Sequence, residues 1–215
     1  MKRVTVGIIG AGSPAVATMT RSRLMRSQIT VKLSAAVLAL FTALLGGSPA
    51  SASTSTASFV AQARAAGLTS GQANSLQNKV HQYLAAMGGK QVAPNRIQLD
   101  GATVYLTVPG EAHPRDLGSK TGAAAYEDPC MVSANYGHMC AYRKTKYKGD
   151  EVDMYSCGRY YFSTWSGPGS WNNNQSTGTV AYMYGPSGAF VYKTPPAHSK
   201  DPAGDWTPVH SVVNC

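Results

Sequence analysis

The sequence predicts an α+β protein in which a small helix-helix-hairpin unit precedes a larger all-β domain. Three observations predict it. Apolar residues fall at helical spacing from Ala73 to Met87, and they alternate with polar ones between Ile97 and Val108. From Cys130 to Cys215, short apolar runs, aromatic residues and glycine-rich turns follow one another, with all four cysteines and all three tryptophans in this stretch.

Residues 1–52 read as an export signal with an upstream extension. A charged start at Met25–Lys32 leads into the apolar run Leu33 to Leu45, and Ala50-x-Ala52 predicts cleavage after Ala52. The apolar run is about 13 residues against the roughly 20 that span a bilayer, so no membrane anchor is expected. Secretion, with oxidised cysteines, is the expected state. Gly10-Ala11-Gly12 superficially matches a dinucleotide-binding turn, but the first acidic residue is Asp100, so no ribose partner follows. No cofactor is expected.

The formal net charge is +9, yet residues 1–52 hold six of the nineteen basic residues and none of the ten acidic ones. The remaining thirteen against ten leave a charge near +3, and no nucleic-acid partner is expected. The composition divides residues 53–110, without cysteine or tryptophan, from residues 130–215. Residues 111–129, with Pro114, two glycines and Ala123-Ala124-Ala125, read as a linker.

In the first unit a short helix is expected near Phe59 to Ala66, closed by Gly67. A second begins at Thr69, where Thr69-Ser70-Gly71-Gln72 fits a capping box, and ends at Gly88-Gly89. Asp100-Gly101 then offers the turn of a hairpin. So small a unit has little core, and it is expected to be marginal or to pack on its neighbour. His81, beside the apolar stripe of the second helix, reads as a boundary histidine because no second ligand stands at metal spacing.

In the second unit Tyr142 and Tyr147 stand five apart, with Gly149 two residues on. A folded hairpin needs a glycine with a backbone angle closed to other residues, and an aromatic ring can shield it. The spacing resembles the Greek-key motif of the βγ-crystallins. A weak repeat, Gly-x-Trp-x4-Ser, runs through Trp171 and Ser176 and again through Trp206 and Ser211. The resemblance implies that each serine bonds back to a folded hairpin.

The stretch from Cys130 to Cys215 also resembles the secreted, crystallin-fold metalloproteinase inhibitors of streptomycetes and their wider family of actinomycete exported proteins. Three pieces carry this: a cysteine pair with Tyr142 two residues after Cys140, the Tyr147-x-Gly149 turn, and Tyr184-Gly185-Pro186. Four cysteines allow three pairings. The resemblance implies Cys130 with Cys140 and Cys157 with Cys215. It also implies an inhibitory loop within Tyr184 to Pro196, with Tyr184, Gly185, Pro186, Tyr192 and Lys193 as candidate contacts. In the resembled inhibitors a local disulfide braces this loop; here no cysteine lies between Cys157 and Cys215, so weaker inhibition is expected.

Asn172, Asn173 and Ser176 are similar to the calcium loop of microbial crystallins. They offer amides and a hydroxyl without a carboxylate, and a polar turn is the better expectation. Arg143, Lys144, Lys146 and Lys148 crowd a hairpin tip, with Asp150, Glu151 and Asp153 expected to neutralise them locally. There is no His-Glu-x-x-His, Gly-x-Ser-x-Gly or phosphate-cradling loop, so no enzyme is expected. The expected function is a secreted peptidase inhibitor with an extracellular metalloprotease as partner. The alternative is a non-inhibitory envelope-binding protein or a crystallin-like antimicrobial toxin.

Overall fold

A computed structural model describes residues 51–118, 126–131 and 136–215. The expected export signal up to residue 50 and the middle of the linker lie outside the described residues.

Helix α1 (Ser51–Ala65) begins earlier than the apolar pattern indicates and ends at Gly67, whose φ of 91° few other residues adopt. Helix α2 (Ser70–Met87) starts as the capping box requires: the Thr69 hydroxyl accepts from the Gln72 N–H, and the Gln72 side chain accepts from the Thr69 N–H. Its stripe Ala73, Leu76, Val80 and Tyr83 is buried.

Three short strands follow: β1 (Lys90–Ala93), β2 (Arg96–Leu99) and β3 (Ala102–Tyr105). The turn between β2 and β3 is at Asp100-Gly101, as the sequence indicates, with Gly101 at φ 73°. The β-domain continues with β4 (His138–Lys144), β5 (Lys148–Met154), β6 (Arg159–Tyr161), β7 (Pro168–Asn174), β8 (Tyr182–Tyr184), β9 (Phe190–Lys193), β10 (Ser199–Asp205) and β11 (Ser211–Val213). Every pairing is antiparallel.

One sheet runs β1-β2-β3-β5-β4-β7-β10 and the other β6-β11-β8-β9. The third strand of each consecutive set of four, β6 and β10, thus crosses to the sheet holding the other set. β3 pairs with β5 from Ala102↔Met154 to Tyr105↔Glu151, so the helical unit and the cysteine-bearing unit share one sheet. They also share one core, in which Leu76, Val80 and Tyr83 join Val152, Phe162, Trp165 and Trp206. The described residues form a single compact unit. The compositional shift near residue 111 marks a change of local architecture within it, because the apolar face of α2 is too small to bury itself and finds its cover on the β-domain.

The cysteines pair as the resemblance implies, Cys130 with Cys140 and Cys157 with Cys215, with Cα separations of 6.0 and 5.4 Å.

Candidate functional site

The expected inhibitory loop is a hairpin at the rim of the smaller sheet. β8 pairs with β11 on one side and β9 on the other, which leaves β9 as an edge strand. The tip is ordered by two backbone bonds, Gly188 N–H to Gly185 O at 2.9 Å and Gly185 N–H to Ala189 O at 2.8 Å. Pro186 sits where its fixed φ favours a tight turn, and Gly188 takes a φ of 76°. At the base, the His210 N–H donates to Tyr184 O at 2.7 Å. Residues 186–190 are all exposed, Phe190 at 62% and Tyr192 at 40%. Tyr161, Tyr184 and Phe190 share one cross-strand row through Ser211, and the Arg159 guanidinium lies 4.5 Å from the centre of the Tyr184 ring.

The Tyr142 and Tyr147 rings meet edge to face at 5.5 Å beside Gly149, whose φ is 86°. The hydroxyl that bonds this hairpin is that of Ser170, accepting from the Tyr147 N–H at 2.8 Å and donating to Lys144 O at 2.7 Å. Ser176 is exposed in a later turn, so the serine that the repeat assigns to this role is displaced by six residues. Ser211 is buried and accepts from Arg159 Nη1 at 2.8 Å. Trp206 stacks on Phe162 at 5.4 Å, and its indole N–H donates to Tyr142 O at 2.8 Å.

The carboxylates expected to neutralise the hairpin tip turn inward instead. β5 alternates, so Asp150 faces α2 while Glu151 and Asp153 face the segment 126–131, and all three are buried. Asp150 accepts from Lys79 Nζ and the Tyr83 hydroxyl, each at 2.8 Å, and from the Thr107 N–H at 2.9 Å. A cleft of about 500 Å³ opens beside this junction, lined also by Arg143 and Lys144. On the opposite face, Tyr126 donates to Glu151 Oε2 at 2.8 Å, Tyr142 to Asp128 Oδ2 at 2.7 Å, and His138 Nδ1 lies 2.7 Å from Asp153 Oδ1. Burial raises the Glu151 carboxyl well above the ordinary range, and the Asp128 charge adds to it. The other oxygen, Oε1, has no hydrogen-bond partner among the described residues.

A second cleft, of about 240 Å³, lies between the sheets beside β9. Trp171, Tyr192 and Trp206 wall it, and Asp201 and Asp205 stand on its border. Trp171 and Trp206 were expected as Greek-key residues and Tyr192 as a loop contact; the structure brings all three to one place. Phe190, Asp201 and Asp205 carry no spacing that marks them in the sequence, because strands distant in the chain assemble the surface.

Asn172 and Asn173 lie on β7, and their amide groups donate to Cys130 O at 2.8 Å and Thr179 O at 3.0 Å. Their side-chain nitrogens therefore tie loops to the strand, and Ser176 stands apart from them. Asp128, Cys130 and Cys140 group closely, but both sulfurs are in a disulfide, which leaves one carboxylate to face a metal. Among the described residues no helix is long and apolar enough to cross a membrane. No family model, curated protein or solved structure matches this chain.

Proposed function

We propose that this chain is an exported, non-enzymatic binding protein of the peptidase-inhibitor type, built on a crystallin-like pair of Greek keys and offering the β8–β9 hairpin to an extracellular metalloprotease. The observation that carries the reading is an ordered hairpin whose outer strand, among the described residues, pairs on one side only and bears exposed Phe190 and Tyr192. An unpaired edge accepts an extended segment by main-chain hydrogen bonding, and alternate side chains then set specificity. A loop ordered before binding also loses less freedom when it docks.

The reciprocal crossing of β6 and β10 supports the Greek-key part, as does the Ser170 clasp on the Tyr142–Gly149 hairpin. Two disulfides support an oxidising destination. Turn hydrogen bonds stand in for the missing loop disulfide, so moderate affinity is expected.

The test is inhibition of a thermolysin-type protease and a wider panel by residues 53–215, set against the double variant Tyr192→Gly, Lys193→Gly. Inhibition weakened about tenfold or more by the pair supports the hairpin, since two contacts at the interface are removed. Tight inhibition that ignores the substitutions rejects the hairpin. Absence of inhibition across the panel favours the envelope-binding alternative, for which Arg159 and Lys193 on the aromatic outer face offer an anionic polymer a cationic surface.

A further inference from the structure

The cleft walled by Trp171, Tyr192 and Trp206 has a charge pattern unlike its surroundings. The Asp201 carboxylate borders it, Asp205 follows on the opposite face of β10, and among the described residues no basic residue lines it. Among the described residues, neither Asp201 nor Asp205 has a cation within ion-pair distance. Each carboxylate is held by a backbone N–H two residues on: Asp201 Oδ1 accepts from the Ala203 N–H within the bulge of β10 and Asp205 Oδ1 from the Thr207 N–H, both at 2.8 Å. The Thr207 N–H and hydroxyl hold the Asp205 carboxyl below its ordinary range, so it is ionised at neutral pH.

Gly204 keeps the slot open. A Cβ at this position would lie 3.5 Å from Trp171 Cδ1 and 3.6 Å from Asp201 Oδ2, so the point between indole and carboxylate is vacant only because the residue is glycine. The Trp171 and Tyr192 rings stand 6.1 Å apart and tilted by 47°. Aromatic faces attract a cation through the ring quadrupole, and the Asp201 carboxylate at the rim adds a charge of opposite sign. The volume is that of a side chain rather than of an extended polymer.

We infer that this cleft takes an arginine or lysine side chain of the partner protein, its aliphatic stem against the aromatic walls and its charged end at the Asp201 carboxylate. Val191 and Tyr192 of the edge strand line the cleft, so a segment paired along β9 runs past its mouth. The source of the cation rests on the hairpin reading; the cleft's preference for a cation does not.

The probes are N-acetyl-arginine methylamide, its uncharged norleucine counterpart, and a Gly-Gly-Arg-Gly-Gly peptide. Each is titrated while the indole N–H resonances are followed by NMR, with Trp165, which does not line the cleft, as internal reference. The expected result is saturable movement of Trp171 by the arginine probe, at least tenfold weaker binding of norleucine, and loss of affinity with added salt. Asp201→Asn keeps the oxygen that accepts the backbone N–H and is expected to weaken binding about fivefold, whereas Asp205→Asn, on the opposite face of β10, is expected to change it by less than about twofold. Gly204→Val, which fills the slot, abolishes it with the fold intact by circular dichroism.

Equal binding of norleucine, or no movement of Trp171 at millimolar probe, overturns the cleft assignment. Binding of the peptide no tighter than the blocked residue overturns a strand-borne source and leaves a site for small organic cations. Arginine binding without inhibition of any protease rejects the hairpin's target while retaining the cleft, so the two failures are distinguishable.

Discussion

The Tyr83 hydroxyl donates to Asp150 Oδ2 at 2.8 Å and receives the Trp165 indole N–H at 2.9 Å. A residue of α2, a residue of β5 and a tryptophan of the loop before β7 thus form one relay, and Lys79 adds a second tie from the same helix. Buried polar groups of this kind are costly to leave unpaired. Tyr83→Phe removes the shared hydroxyl and is expected to lower stability by about 1–3 kcal/mol. Asp150→Ala removes at once the acceptor shared by Lys79, Tyr83 and the Thr107 N–H and is expected to cost about 3–5 kcal/mol. Urea unfolding followed by circular dichroism and by tryptophan fluorescence should give one coincident transition; separate melting of the helices would contradict the shared core.

Gly169 is a contact requirement on β7. A Cβ there would overlap the Trp206 indole and stand 2.8 Å from Tyr142 O, the acceptor of the Trp206 N–H. Gly169→Ala is expected to destabilise by about 1–3 kcal/mol through overpacking. Gly71→Ala meets nothing within 4 Å on α2 and is expected to be neutral or stabilising by at most about 1 kcal/mol. Thermal melts of both variants against the parent check the contrast.

Glu151 sets the sign of a pH effect. Its folded carboxyl keeps a proton at pH values where an unfolded glutamate, with a pKa of about 4.3, has released it. The folded state therefore binds more protons, and this contribution to stability declines as pH rises from about 4 through the elevated value. Burial raises Asp128 and Asp153 too, which adds in the same direction. Glu151→Gln, which retains an acceptor for Tyr126, should match the parent near pH 4 and exceed it in stability at pH 8. A parent that gains on the variant as pH rises would refute this account.

The two disulfides close loops of unequal length, with sequence separations of 10 and 58. On a chain-entropy model they contribute about 3 and 4 kcal/mol. The paired substitution Cys157→Ala, Cys215→Ala is expected to lower the urea midpoint more than Cys130→Ala, Cys140→Ala. Unreduced peptide mapping should recover a Cys130–Cys140 peptide, and a Cys130–Cys157 link would refute the pairing.

What is local in this protein was legible in its sequence. The capping box at Thr69, the Asp100-Gly101 turn and the Tyr142–Gly149 hairpin each depend on residues within a few positions of one another, where side-chain chemistry and backbone angle act directly. β1 escaped because four residues carry too little alternation to declare a strand. The serine at the hairpin escaped because register, a property of the β4–β7 pairing, selects Ser170 over Ser176.

Charge was decided by the fold alone. Asp150, Glu151 and Asp153 look like solvated partners of the neighbouring lysines, since sequence proximity cannot say which face of a strand will be covered. Once β3 pairs with β5 on one side and β4 on the other, that strand is interior, and its period of two sends one carboxylate to Lys79 and Tyr83 and two beneath Tyr126 and Asp128. The cation cleft has the same origin: Trp171, Tyr192 and Asp201 come from three strands, and only antiparallel pairing and the packing of two sheets bring them together. The sequence by itself determined turns, caps and the number of cysteines to be joined. Tertiary structure decided which polar groups leave water, because burial is a property of neighbours that the chain supplies from far away.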